Sequence, residues 1–181
     1  TPVVLFGFDN TYTEAIVHRL TESNFKYLVV ASDAEFAPLR EESQDRYSNM
    51  ETADVHDAAK VGSVLSNSPF DQHLIIDIPP KGPRALGAKG GSLLDRYGEL
   101  FASLAEKAKG EGRLATVTLL SVQMPDADSL QAKRLLNAMQ TACYQDEQAW
   151  IAFGKKYGVR VVVLRVADRV YGPKRSAIKR L

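Results

Sequence analysis

Residues 2–20, PVVLFGFDNTYTEAIVHRL, decide the fold. Val3, Val4, Leu5 and Phe6 form an unbroken apolar run, the mark of a parallel strand covered on both faces. Gly7 breaks the run. From Thr13 onward, Ala15, Ile16, Val17 and Leu20 recur at helical spacing, so one face of a helix is apolar. The chain therefore opens with a strand, a tight turn and a helix.

That opening suits a dinucleotide. The glycine lets the backbone bend sharply, and the helix N-terminus faces the pyrophosphate. In G-x-x-G-x-x-G register the three positions are Gly7, Asn10 and Thr13. Asparagine is the best non-glycine tolerator of left-handed backbone, whereas Thr13 adds a branched side chain where helix and strand pack closely. Two readings fit the stretch. One is a phosphate cradle formed by Gly7, Phe8, Asn10 and Thr13. The other is a plain strand-to-helix turn, with Asp9, Asn10, Thr11 or Thr13 as the cap. Asp9 favours the second, because a carboxylate in the loop repels a phosphate.

Outward from this opening, apolar strands and helical patterns alternate. Phe25–Ala31 reads as the second strand, and it ends in Ser32 and Asp33. Asp33 stands where a dinucleotide fold places the acid that holds the ribose hydroxyls, and it equally suits a helix cap. Residues 34–49 are polar and read as a short solvated helix with a loop. Met50–Asp57 is a short third strand. Ala58, Val61 and Leu65 share a helix face, and His73–Ile78 is the fourth strand, stopped by Pro79 and Pro80. His73 reads as structural, since no other histidine or cysteine has ligand spacing. Residues 81–92 read as a crossover loop, in which Lys81, Arg84 and Lys89 are candidates for gripping a phosphate. Leu93–Lys109 is amphipathic, with Gly110 and Gly112 ending it. Leu114–Leu120 is the fifth strand, Ser129–Lys156 a long helix closed by Gly158, and Val159–Val166 the sixth strand.

Six strands alternating with helices predict an α/β fold: a doubly wound, mostly parallel, Rossmann-like sheet in a single three-layer domain over 1–173, with a basic tail at 174–181. Val4, Leu5, Val29, Val30, Ile75, Ile76, Leu119, Val162 and Val163 are expected at the centre of the sheet. The 181 residues are 45% hydrophobic with a net charge of +1, which suits a soluble core and argues for neither nucleic acid nor a membrane surface. No apolar run is long enough for a membrane span. The single cysteine, Cys143, excludes an internal disulfide and any cysteine metal cluster. A reducing compartment, cytoplasm or organelle matrix, is expected, with no secretion signal. The chain opens on Thr1, so it is expected to be processed, trimmed or part of a longer chain.

The last third carries a resemblance. Residues 155–173, KKYGVRVVVLRVADRVYGP, resemble the helix end, sixth strand and L-R to Y-G-P turn of the extended short-chain dehydrogenase/reductase superfamily. These are the NAD(P)-dependent sugar-nucleotide epimerases and dehydratases. Asp54–Asp57 resembles the family's D-x-x-D, whose acid and following amide meet the adenine, here Asp54 and Val55. The resemblance covers the Rossmann part and implies NAD or NADP as cofactor. Asp33, with no arginine beside it, favours NAD, because a 2′-phosphate would meet a carboxylate.

The catalytic pattern departs from the family. Its Tyr-x-x-x-Lys pair exchanges a proton through the phenol, whose pKa the lysine lowers. The only spacing match is Tyr144 with Gln148, and glutamine carries no charge. Anchored on the following KKYG, the pair falls instead near Met139 and Cys143. Ser121 matches the serine after the fifth strand. Ser121 and Tyr144 are therefore expected to be vestigial. The expectation is a non-catalytic Rossmann module that assembles with protein partners or oligomerises and retains, or has lost, a dinucleotide. A working epimerase, dehydratase or reductase using Tyr144 and Ser121 is one alternative, and a dinucleotide sensor is another.

Overall fold

The computed structural model describes residues 3–7, 11–31, 50–67, 73–77, 92–124 and 128–167. Of the residues singled out in the sequence, Phe8, Asn10, Asp33, Lys81, Arg84, Lys89 and the basic tail lie outside these. Thr13 and His73 are described through their backbone alone. In chain order the elements are β1 (Val3–Phe6), α1 (Thr11–Glu22), β2 (Tyr27–Ala31), β3 (Met50–Asp54), α2 (Ala58–Asn67), β4 (His73–Asp77), α3 (Leu93–Gly110), β5 (Thr116–Gln123), α4 (Leu130–Tyr157) and β6 (Arg160–Ala167). The fold is α/β and Rossmann-like, as the alternation predicts. The described residues divide into two compact units, the first ending at Asp77 and the second running from Ser92 to Ala167.

In the first unit β1 lies between β2 and β4, and β3 flanks β2, all parallel. Val3 pairs with Tyr27 on one side and His73 on the other. The chain steps one way from β1 to β3 and back across the sheet to β4. Right-handed crossovers then place α1 and α2 on opposite faces. Packing agrees with this. Val3, Leu5, Tyr27, Val29 and Ala31 form a cluster with Val17 of α1, joined by Leu20, Met50 and Ile75. The alternate residues Val4, Phe6, Leu28, Val30 and Ala53 are buried on the other face, where α2 contributes Val61 and Leu65.

α1 ends in a way that moves the start of β2. Asn24 takes a left-handed φ of 56°. The N–H of Phe25 donates to the carbonyl of Leu20 and that of Asn24 to Thr21, a Schellman closure. The amide of Phe25 is thus spent on the helix, its side chain is 43% exposed, and the strand begins at Tyr27 rather than Phe25. β3 likewise ends at Asp54, short of the expected Asp57, because Asp54 bends the chain (below).

The second unit is built differently. β5 and β6 run parallel, Thr116 opposite Arg160 and Ser121 opposite Arg165. α3 opens with a capping box, in which Asp95 N–H donates to Ser92 Oγ and Ser92 N–H to Asp95 Oδ2. α4 is capped by Ser129 and closed by Gly158. An aromatic series joins the helices: Tyr97 and Phe101 of α3, then Trp150, Phe153 and Tyr157 of α4, with Phe101 and Trp150 centroids 5.7 Å apart. Gly154 lets α4 approach β6. A Cβ there would lie 2.6 Å from Val161 Cγ2 and 2.7 Å from the carbonyl of Val159.

Most of the expected core is buried: Val4, Leu5, Val29, Val30, Ile76 and Leu119. Ile75, Val162 and Val163 are half-buried instead. For the two valines the reason is local, since β5 is the only strand that pairs with β6 among the described residues. Among the described residues no helix is long and apolar enough to cross a membrane, and no group of histidine, cysteine and acidic residues could hold a metal ion.

Candidate functional site

The first unit supplies a backbone cradle. Strand order reverses at β1, which has β2 on one side and β4 on the other. A crevice opens beyond the carboxyl ends of strands at such a point. Gly7 stands there with φ 90°, in the region closed to L side chains, and its N–H donates to the Val30 carbonyl at 2.9 Å. α1 starts four residues later, with Thr13 in its first turn. A glycine at the carboxyl end of β1, with no Cβ to obstruct it, and a helix N-terminus four residues on fit the pyrophosphate of a dinucleotide.

At the end of β3 the geometry is an aspartate turn. Asp54 Oδ1 accepts from the N–H of His56 at 2.9 Å, and the Asp54 carbonyl accepts from Asp57 N–H at 3.0 Å. Asp57 in turn caps α2 by accepting from Lys60 N–H. The N–H of Val55 donates to Ala31, extending the β2–β3 ladder by one bond. Asp54 and Val55 are therefore held firmly beside the carboxyl end of β2, one oxygen of Asp54 already engaged.

The second unit holds the residues expected to be vestigial, together with a pair that spacing arguments missed. Ser121 is fully buried on β5, and its hydroxyl has no hydrogen-bond partner among the described residues. Tyr144 is 38% exposed on α4. Its ring lies 4.9 Å from the guanidinium carbon of Arg165 on β6. Arg165 is gripped by Glu147: Nη2 to Oε2 at 2.6 Å, and Nε to both carboxylate oxygens at 3.2 Å. Those hydrogen bonds hold the Arg165 guanidinium above its ordinary range, against a smaller desolvation effect. Glu147 is 0% exposed, while the Arg165 side chain is 46% exposed.

This arrangement answers the missing-lysine question physically. A cation does stand beside Tyr144, supplied by β6 rather than by the helix. Its charge is matched by a buried carboxylate in direct contact, so the ring faces a neutral pair. Gln148 is exposed, Met139 is half-buried and Cys143 is buried. The signal for Glu147 was in the sequence: it occupies the buried stripe Cys143, Glu147, Trp150, Gly154, where a lone acid needs a partner. Nothing in the sequence named that partner, 18 residues away. α4 is also tied to the segment after β5 by Gln140 Oε1, which accepts from Met124 N–H at 2.7 Å.

No family model matches the chain, and no curated protein matches it in sequence. Solved structures do. Serine dehydrogenase from Escherichia coli is similar at a TM-score of 0.58 and 12% identity, over 92% of this chain and 82% of that one. A closed serine dehydrogenase complexed with NADP+ is similar at a TM-score of 0.56 and 12% identity, over 92% and 72%. UDP-glucose 4-epimerase from Thermotoga maritima, with UDP-glucose, is similar at a TM-score of 0.51 and 15% identity, over 91% of this chain and 55% of the epimerase. At these identities the likeness is one of fold, shared with short-chain dehydrogenases and an epimerase.

Proposed function

We propose that this chain is a short-chain-dehydrogenase-like Rossmann module that retains a dinucleotide site and works in protein assembly rather than in catalysis. The observation that carries the reading is the Glu147–Arg165 pair beside Tyr144. Proton exchange through a phenol at neutral pH needs an unmatched positive charge next to it. Here the adjacent guanidinium is neutralised by a fully buried carboxylate, and the residue one helical turn past Tyr144 is Gln148.

The dinucleotide part rests on the Gly7 turn and the start of α1, and on the NADP+ carried by a protein of the same fold. A bound NAD(P) would supply hydride chemistry. Gly7 and the first turn of α1 would take its pyrophosphate, and Asp54 would lie at the adenine end. Asp33 gives NAD the preference over NADP.

The test is fluorescence titration with NADH and NADPH, followed by hydride-transfer assays across a panel of nucleotide sugars. The expected result is binding, tighter for NADH, without turnover. Tyr144→Phe leaves binding unchanged, and Gln148→Lys creates no activity. A wild-type rate abolished by Tyr144→Phe overturns the reading in favour of an active epimerase or reductase. Binding whose affinity for assembly partners shifts with redox state makes the module a sensor.

A further inference from the structure

The second unit presents two long helices with very different surfaces. On α3 the exposed positions are charged except at Ser103 and Gly110. On α4 every exposed residue from Leu135 to Ala152 is uncharged. Asn137, Thr141, Tyr144 and Gln148 recur there at intervals of three and four, so they form one stripe along the helix. Lys133 and Lys155, both exposed, extend the same stripe at its two ends, and no acid lies on it. A solvated helix face normally mixes charges of both signs. A face stripped of charge at its centre, with a tyrosine set in it and the β6 arginine Arg165 held beside it, has the composition of a protein interface.

Glu147 supplies the second observation. It is the one fully buried charged residue among the described residues, and burying a carboxylate to hold a half-exposed arginine is a poor route to stability. What the arrangement does achieve is to hold Arg165 beside Tyr144. Both side chains are thus ordered before any partner arrives, which lowers the entropic cost of binding.

Resting on the assembly reading above, we infer that the Asn137–Gln148 stripe of α4, with Arg165 beside it, docks an acidic helical segment of another protein. The occupant follows from charge. Lys133 and Lys155 stand at the two ends of the stripe with no acid on it, while Arg165 beside its centre is matched by Glu147, so a partner carrying acids at both ends and uncharged or aromatic side chains between them is complementary. From Lys133 to Lys155 the stripe spans about 33 Å, a match for a helix of some six turns. Glu147 is a positioning residue, acting through Arg165.

Selection of binders from a randomised library of 20-residue peptides, displayed against the full chain, tests this. The expected binders are enriched in Asp and Glu near both ends. Their affinity falls about tenfold on Tyr144→Ala, as for an interface anchor, and by a similar factor on Lys133→Glu with Lys155→Glu. These positions are exposed, so the variants should fold. Arg165→Lys, which keeps the charge but loses the two-pronged contact with Glu147, weakens binding less than Tyr144→Ala. Binders without acidic ends, binders indifferent to these variants, or no binders at all overturn the inference. A concentration-dependent dimer abolished by Tyr144→Ala overturns it too, since the occupant would then be a second copy. Turnover in the dinucleotide assay, with peptide binding intact, would remove the non-catalytic reading and leave the docking surface standing.

Discussion

β1 and β2 of the first unit bury every residue, whereas β6 of the second buries none of its described side chains fully, with Leu164 47% exposed. All three strands are rich in valine and leucine, so hydrophobicity does not separate them. Neighbours do. β1 has a strand on each side and apolar side chains packed over both faces, while β6 has one described strand neighbour. The first unit is therefore held by aliphatic burial across a sheet. The second depends on aromatic contacts between α3 and α4 and on the approach of α4 at Gly154. A backbone cradle needs the first kind of stability. A surface that presents side chains can live with the second.

The largest expected effects lie in the two cores. Phe101→Ala, at a fully buried ring between Tyr97 and Trp150, should cost about 3–5 kcal/mol, and Leu5→Ala about 2–5 kcal/mol. Val163→Ala on half-buried β6 should cost about 1 kcal/mol. Urea unfolding measures all three. If Val163→Ala costs as much as Leu5→Ala, the contrast between the strands is lost.

Gly154→Ala comes next. The added methyl meets a valine side chain and a backbone carbonyl, and the carbonyl cannot simply swing aside. A loss of about 1–3 kcal/mol is expected. A neutral result in the same unfolding experiment would show that α4 does not rely on that approach.

Smaller again is Tyr27→Phe in the first unit. Tyr27 is buried, and its hydroxyl lies 2.6 Å from Thr21 Oγ1. Burial pushes its pKa up, outweighing the opposing effect of the hydrogen bond with Thr21. A phenol raised in the folded state contributes stability that is present below the unfolded value near 10 and lost as pH rises through the folded value. Wild type should thus lose stability above about pH 10. Tyr27→Phe should cost about 1 kcal/mol at neutral pH and flatten that alkaline decline. Identical alkaline limbs in thermal melts from pH 8 to 11 would argue against it.

The smallest expected change is at Ser121. Its buried hydroxyl has no partner among the described residues, so Ser121→Ala should leave stability within about 0.5 kcal/mol or raise it. A clear loss would mean that the hydroxyl is satisfied and structurally needed.

Local patterns decided most of the fold. The apolar run Val3–Phe6 with Gly7 announced a covered parallel strand and its turn, and Gly158 announced the end of α4, because strand burial and left-handed positions depend on residues close in sequence. Two of the boundaries that slipped, the start of β2 expected at Phe25 and the end of β3 expected at Asp57, were set by hydrogen bonds that compete with the ladder, a helix closure in one case and an aspartate turn in the other; β5, expected at Leu114–Leu120, also shifted, to Thr116–Gln123. The site divided along the same line. Gly7 was legible because its need for positive φ is a property of one residue. The meeting of Glu147 with Arg165 was not. A helix and a strand bring them together across 18 positions, and only that juxtaposition neutralises the cation beside Tyr144. The sequence by itself determined which elements form and in what order. Which charges meet was left to the packing of α4 against β6, since the energy of a charge pair depends on distance in space and on burial, and neither is written along the chain.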